Sequence, residues 1–172
     1  MDAFDKNIDV SKMYSGVSEK QVLGCILKNP SLMQEALSFI TASKVFYMTD
    51  HQHIWGAMYY LHQSNKDIDV ATVSNFLGEK GHKLAYYVSG LQNDIITEAT
   101  FKTHCKTIYD LYVRRQLWKR IVGFKDRIEK DTSYKDVSSD IDYLGKISEK
   151  FNDMIKMEHQ SMEGLDDELI QS

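Results

Sequence analysis

Residues 97–130, TEATFKTHCKTIYDLYVRRQLWKRIVGFKDRIEK, decide how this chain folds. They contain no proline, and their apolar side chains keep a helical period throughout, which predicts one long helix or two nearly continuous ones. Asp131-Thr132-Ser133 interrupts that pattern, and Ser133-Tyr134-Lys135-Asp136 has the form of an N-terminal cap for a second long helix reaching about Glu158. In this second helix Val137, Ile141, Leu144, Ile147, Phe151 and Met154 advance by four, three, three, four and three, the spacing of a heptad seam. Two long helices joined by so short a break are expected to form an antiparallel hairpin over residues 97–158.

The two arms differ in charge. Residues 102–130 carry nine Lys/Arg against three Asp/Glu, whereas residues 131–172 carry four against eleven. An acidic arm beside a basic one neutralises much of that charge inside the hairpin instead of offering it to phosphates. The first arm also has two apolar stripes: Ile108, Leu111, Trp118 and Val122 form one, and Val113, Leu117, Ile121, Phe124 and Ile128 the other. One partner helix covers one stripe, so the second predicts self-association, with a fold-back of the hairpin onto the rest of the chain as the alternative. The expected interface is Leu111, Val113, Trp118, Ile121, Val122 and Phe124 from the first arm, with Ile141, Leu144, Ile147 and Phe151 from the second.

Upstream, shorter helices follow one another. Ser18-Glu19-Lys20-Gln21 has the spacing of a capping box, and Val22, Leu23, Ile26 and Leu27 supply an apolar face before Asn29-Pro30 stops the helix. Ser31 is placed to cap a second helix burying Leu32, Ala36, Leu37 and Ile40, and Asp50 a third carrying Ile54, Trp55, Met58 and Leu61. Asp69 is placed to cap a fourth through Val73, Phe76 and Leu77 to a stop at Gly81, and Leu84, Tyr87, Val88 and Leu91 mark a fifth. No stretch alternates like a strand. The fold class expected is therefore all-α: a compact helical head (17–96) followed by a long antiparallel helical hairpin. A flexible polar segment (1–16) precedes the head, and the acidic start of a linker (159–172) follows the hairpin.

A chain of 172 residues with 42% hydrophobic side chains can build a core without staples. Cys25 and Cys105 lack CxxC spacing, and no signal-peptide pattern or apolar run of roughly 18 residues is present, which fits a reducing, cytoplasmic setting and no membrane. Phosphate-loop chemistry requires GxxxxGK[ST], and the chain has none; Gly78-Glu79-Lys80-Gly81 lacks the spacing and reads as a helix stop. His51 and His53 point to different sides of a helix and no third ligand completes a set, so neither a metal nor a catalytic site is expected.

Taken in order, several of these residues resemble the N-terminal domain of DnaB-family replicative helicases. Ser18 to Leu27 is similar to that family's first helix with its Val-Leu-Gly. Phe46-Tyr47, His51, Ile54-Trp55, Ile68-Asp69-Val70 with Thr72-Val73, and Arg115 with Leu117 fall where the family has its Phe-Tyr, His, Ile-Phe, Ile-Asp-x-x-Thr-Val and Arg-x-Leu patterns. The chain departs from the family in lacking a Gly-Gly before Tyr87 and in having His104 where Tyr is common.

The resemblance implies a collar module whose hairpins pair, as dimers within a hexamer, and on which primase docks. It implies a helicase loader as a further partner, DNA contacted only indirectly, and a structural His51 that caps or packs, partly buried, at the start of its helix. ATP and magnesium belong to a motor domain downstream, so the chain alone is not an enzyme and holds no cofactor. Two other readings stand beside it: the helicase-binding C-terminal domain of a primase, and a free-standing nucleic-acid-binding or replication-regulatory helical module. Tyr109, Tyr112, Arg114, Arg115, Trp118, Lys119 and Arg120 carry the nucleic-acid reading, as basic residues interleaved with aromatics.

Overall fold

A computed structural model describes residues 12–94, 97–129, 138–139 and 141–149. The described residues are all-helical in character, with no strand among them. In chain order they form α1 (Gly16–Lys28), α2 (Leu32–Leu37), a single 3-10 turn (Ser43–Val45), α3 (Thr49–Gln63), α4 (Val70–Glu79), α5 (Ala85–Asn93), α6 (Phe101–Glu129) and a helical segment, α7, at 141–149. Two compact units divide within α6, after Gln116.

The head is built around α1. Val22, Leu23, Ile26 and Leu27 are all at most 2% exposed and pack with Ile54, Trp55 and Met58 of α3, Val73 and Leu77 of α4, and Val88 and Leu91 of α5. Phe101, Cys105 and Ile108 of α6 belong to the same core, so the first turns of the long helix complete the head drawn at 17–96 from sequence. Side-chain amides tie the ends: Gln92 donates to the Leu27 carbonyl (2.9 Å), and Asn29 to the Glu98 carboxylate (3.0 Å).

Helix starts depart from expectation at three places, each for a physical reason. α1 begins at Gly16, because Ser15 in extended conformation accepts the Ser18 N–H; Ser18 is then an internal residue and not the cap. At α2 the Ser31 side chain makes no cap bond, and Asn29 Oδ1 instead accepts both the Ser31 N–H and its hydroxyl. At α3 neither Asp50 nor the N-cap Met48 supplies a side-chain cap; that comes from α1, as described below.

α4 follows its sequence closely. Asp69 accepts the Thr72 N–H (2.8 Å) while the Thr72 hydroxyl accepts the Asp69 N–H (3.0 Å), a reciprocal capping box. The same backbone hydrogen bond holds the Asp69 carboxyl below its ordinary range. Gly81 takes φ +82°, the left-handed conformation that lets His82 N–H reach the Leu77 carbonyl and close the helix. Replacing Asp69 by Ala is expected to lower stability by about 1 kcal/mol, with Asn retaining most of it, as read by urea unfolding at neutral pH.

In the second unit Arg120 of α6 lies over the ring of Tyr143 of α7, 4.2 Å from its centroid. These two residues flank Asp131-Thr132-Ser133 at nearly equal separations in sequence, the register expected of antiparallel arms. The turn itself and the far part of the second arm, including Phe151 and Met154, lie outside the described residues.

Candidate functional site

Two sets of side chains carry potential for function: a buried polar network in the head and the apolar positions of the hairpin arms. The network centres on Glu19, which is 1% exposed on the core face of α1. Its Oε1 accepts the Tyr47 N–H (2.6 Å) and its Oε2 accepts the Met48 N–H (3.3 Å), the amides of the residue before the N-cap of α3 and of the N-cap itself. Oε2 also meets His51 Nδ1 at 2.6 Å. With backbone donors converging on this carboxylate it is the acceptor, so Nδ1 carries the hydrogen and Nε2 faces the Tyr87 hydroxyl at 2.7 Å. A carboxylate from one helix thus caps another and orients a ring that reaches a third.

His51 is 0% exposed, which corrects the expectation of a partly buried ring: it is an internal polar link between α1, α3 and α5. Burial also raises the Tyr87 hydroxyl above its ordinary value, so that it remains a hydrogen-bonding phenol. Beside this network Arg115 is 6% exposed. Its Nη1 donates to the Met13 carbonyl (2.6 Å) and its Nη2 to the Val45 carbonyl (2.7 Å), while its plane lies over the rings of Tyr47 (5.5 Å) and Tyr112 (5.8 Å). Arg115 is therefore an internal clamp, whereas the nucleic-acid reading counted it among basic residues offered to a partner.

His104, at the residue that departs from the family pattern, meets Ser18 Oγ through Nδ1 (3.1 Å). Burial lowers its pKa, and a charged ring would also face the positive end of the α1 dipole. The fold therefore favours the neutral ring. As pH falls through the ordinary histidine value of about 6.5 the unfolded chain takes up the proton first, so stability present above that value is lost until the lower folded value is passed. The urea midpoint is expected to drop across that interval in the native chain, and His104→Gln should flatten this part of the profile.

The thiols of Cys25 and Cys105 are buried and free, and burial pushes them up to about 11 and about 12, which makes them poor nucleophiles. Among the described residues no three His, Cys, Asp or Glu side chains converge as metal ligands, and no helix is long and apolar enough to cross a membrane.

The ten hairpin positions divide. Val113 is 6% exposed, already covered by residues of this chain. Leu111, Trp118, Phe124 and Ile147 are half-buried, whereas Ile121 (44%), Val122 (38%), Ile141 (60%) and Leu144 (38%) are exposed. Phe151 lies outside the described residues.

Residues 11–110 match the family model described as the DnaB-like helicase N terminal domain. The chain belongs to that family. The matched stretch contains Glu19, His51 and Tyr87, so the buried network lies in the family's own part of the chain, while Arg115 and the exposed hairpin positions lie beyond it.

Among curated proteins it is similar to the replicative DNA helicase DnaB of Rhodothermus marinus, 29% identical over 103 residues, and to a probable replicative DNA helicase of Trieres chinensis, 28% identical over 109. These stretches cover 58% and 60% of this chain but only 11% and 23% of those proteins, so the chain spans a minor part of either. Two solved structures share its fold. The N-terminal domain of DnaB helicase from Mycobacterium tuberculosis superposes with a TM-score of 0.68 at 20% identity, over 78% of this chain and 95% of that one. A DnaB-like replicative helicase, described together with its interactions with primase, gives 0.66 at 21%, over 77% of this chain and 31% of that one. DnaB-family membership sets aside the reading as a primase domain.

Proposed function

We propose that this DnaB-family domain works as the collar of a replicative helicase, pairing its hairpins with those of other copies and offering the assembled collar to primase during DNA replication. The observation that carries the pairing is the exposure of large apolar side chains on both arms: Ile121 and Val122 on α6, Ile141 and Leu144 on α7. Large apolar residues left in water together mark a surface that a partner covers. A symmetric pair of hairpins would cover them with the same residues from a second copy. The primase reading is supported by the structural neighbour described with that partner. A loader acting on the same collar, ATP and magnesium confined to a motor domain, and a cytoplasmic setting follow from the same proposal.

The nucleic-acid reading loses two of its strongest residues, because Arg115 is engaged by two carbonyls and Arg120 by the Tyr143 ring. Sedimentation equilibrium tests the collar reading. The native chain is expected to self-associate with rising concentration, and Ile141→Asp or Phe124→Asp to shift it toward monomer. A strict monomer at high concentration, unaffected by either substitution, would overturn the pairing; absence of primase binding by an assembled collar would overturn the docking.

A further inference from the structure

Arg115 presents an unusual balance of partners. It is a cation more than nine-tenths buried, yet among the described residues no carboxylate makes ion-pair contact with it. Glu19, whose charge acts on it, is already occupied by Tyr47, Met48 and His51. Its two hydrogen bonds go to neutral carbonyls, and aromatic faces flank the guanidinium. A guanidinium fork binds a carboxylate in two parallel hydrogen bonds roughly twice as strong as bonds between neutral groups, so carbonyl acceptors leave part of its capacity unused.

One of those carbonyls belongs to a weakly anchored segment. Residues 12–17 contribute nothing to the core cluster, which begins at Val22. Lys12 and Tyr14 are exposed. Among the described residues, beyond the hydrogen bonds that start α1, the segment is held by the Met13 carbonyl on Arg115 and by Tyr14 stacked on Tyr47, with centroids 4.6 Å apart. Release of these two contacts uncovers the Nη1 side of Arg115 and one face of Tyr47 without opening the core.

We propose that residues 12–14 form a strap latched over a cationic-aromatic niche, and that the opened niche binds a carboxylate side chain beside an aromatic ring on an acidic segment of a partner polypeptide. The Met13 carbonyl and the Tyr14 ring act as the internal occupant, in the places that the incoming carboxylate and ring would take. This inference uses only head residues and Arg115, and it stands apart from the collar reading.

The test uses the full chain with Tyr14→Ser, a change at an exposed ring that leaves the core intact, and N-acetyl-Asp-Tyr-amide as the probe. In Tyr14→Ser the amides of residues 22–27 are expected to keep their native hydrogen-exchange rates, so that a gain in binding reflects a local opening and not unfolding of the core. The Asp peptide should bind Tyr14→Ser about tenfold more tightly than it binds the native chain, with a shift of the Arg115 side-chain N–H resonance; the Asn peptide should not. Arg115→Lys, which keeps the charge but loses the fork, should weaken that binding. Equal binding of Asp and Asn peptides, binding to Tyr14→Ser no tighter than to the native chain, or loss of exchange protection at residues 22–27, would overturn the proposal. Equal, Arg115-dependent binding of inorganic phosphate would reassign the niche from a peptide carboxylate to a small anion and overturn it as well.

Discussion

Glu19→Ala is expected to cost about 3–5 kcal/mol, because several buried donors lose their shared acceptor together. The substitution deletes the acceptor of three donors at once: the Tyr47 and Met48 amides and His51 Nδ1. The ring and the carboxylate are 0% and 1% exposed, so water does not replace the lost acceptor without opening the α1–α3 contact. Each orphaned buried donor carries a desolvation cost of about 1–3 kcal/mol. Glu19→Gln separates shape from charge. It keeps one oxygen for the Tyr47 amide but turns an NH2 toward donors, so its loss should be smaller than that of Ala and still well above zero. Urea unfolding followed by far-UV dichroism measures both. A loss below about 1 kcal/mol for Ala would mean that α3 starts equally well without this cap.

The network also shows which features of the molecule were legible from sequence. Asp69 and Thr72 are three residues apart and cap their own helix, so the pattern is local; the structure contains the Asp69 cap expected there, and the Thr72 hydroxyl adds the reciprocal half of a box. The apolar periods of α1, α3 and α5, and the unbroken run that became α6, are likewise statements about one helix at a time. Glu19, by contrast, lies 28 residues before the amide it accepts and 32 before His51. Arg115 reaches carbonyls 70 and 102 residues away. Nothing in local spacing distinguishes a charge that turns inward from one that stays in water. Ser18-x-x-Gln21 was a plausible box for the same reason that it was wrong: the extended backbone needed at a cap occurs at Ser15, three residues earlier. The only sequence signal for Glu19, His51 and Arg115 was their position within family patterns, which gives a residue's place without its partner.

The hairpin was legible to a different depth. Heptad spacing placed Ile141, Leu144 and Ile147 on one seam, and a seam states that residues share a face without stating what covers it. Val113 and Ile108, assigned by spacing to the two stripes of the first arm, are covered within this chain, the latter as part of the head core. The stripes therefore serve different ends along their length: near the start of α6 they close the head, and beyond Gln116 they leave Ile121 and Val122 exposed. Periodicity is uniform along α6, and the change of use arises only from what packs against each turn.

Phe46→Ala should approach the Glu19 effect, at about 3–5 kcal/mol, by removing a wholly buried ring from the same junction. Phe46 is 0% exposed, with its ring centroid 5.5 Å from Trp55 and 6.4 Å, edge-on, from His51. It is the hydrophobic anchor of a short connection whose backbone is otherwise held by polar groups: Arg115 grips the Val45 carbonyl on one side of it and Glu19 the Tyr47 amide on the other. Loss of the ring leaves a cavity against Trp55, and it also frees the loop to move away from both clamps, so the cost exceeds what transfer of the ring alone would give. Phe46→Leu fills part of the space and should lose distinctly less. Trp55 supplies the readout, since it is 2% exposed and its emission should shift to the red in Phe46→Ala as water approaches. The two largest effects should not add. Once Phe46 no longer holds the loop in place, Glu19 has already lost part of its grip on the Tyr47 and Met48 amides. The double substitution Glu19→Ala with Phe46→Ala is therefore expected to cost less than the sum of the single ones, by about 0.5–3 kcal/mol. Strict additivity would show that the aromatic anchor and the carboxylate cap hold the start of α3 independently.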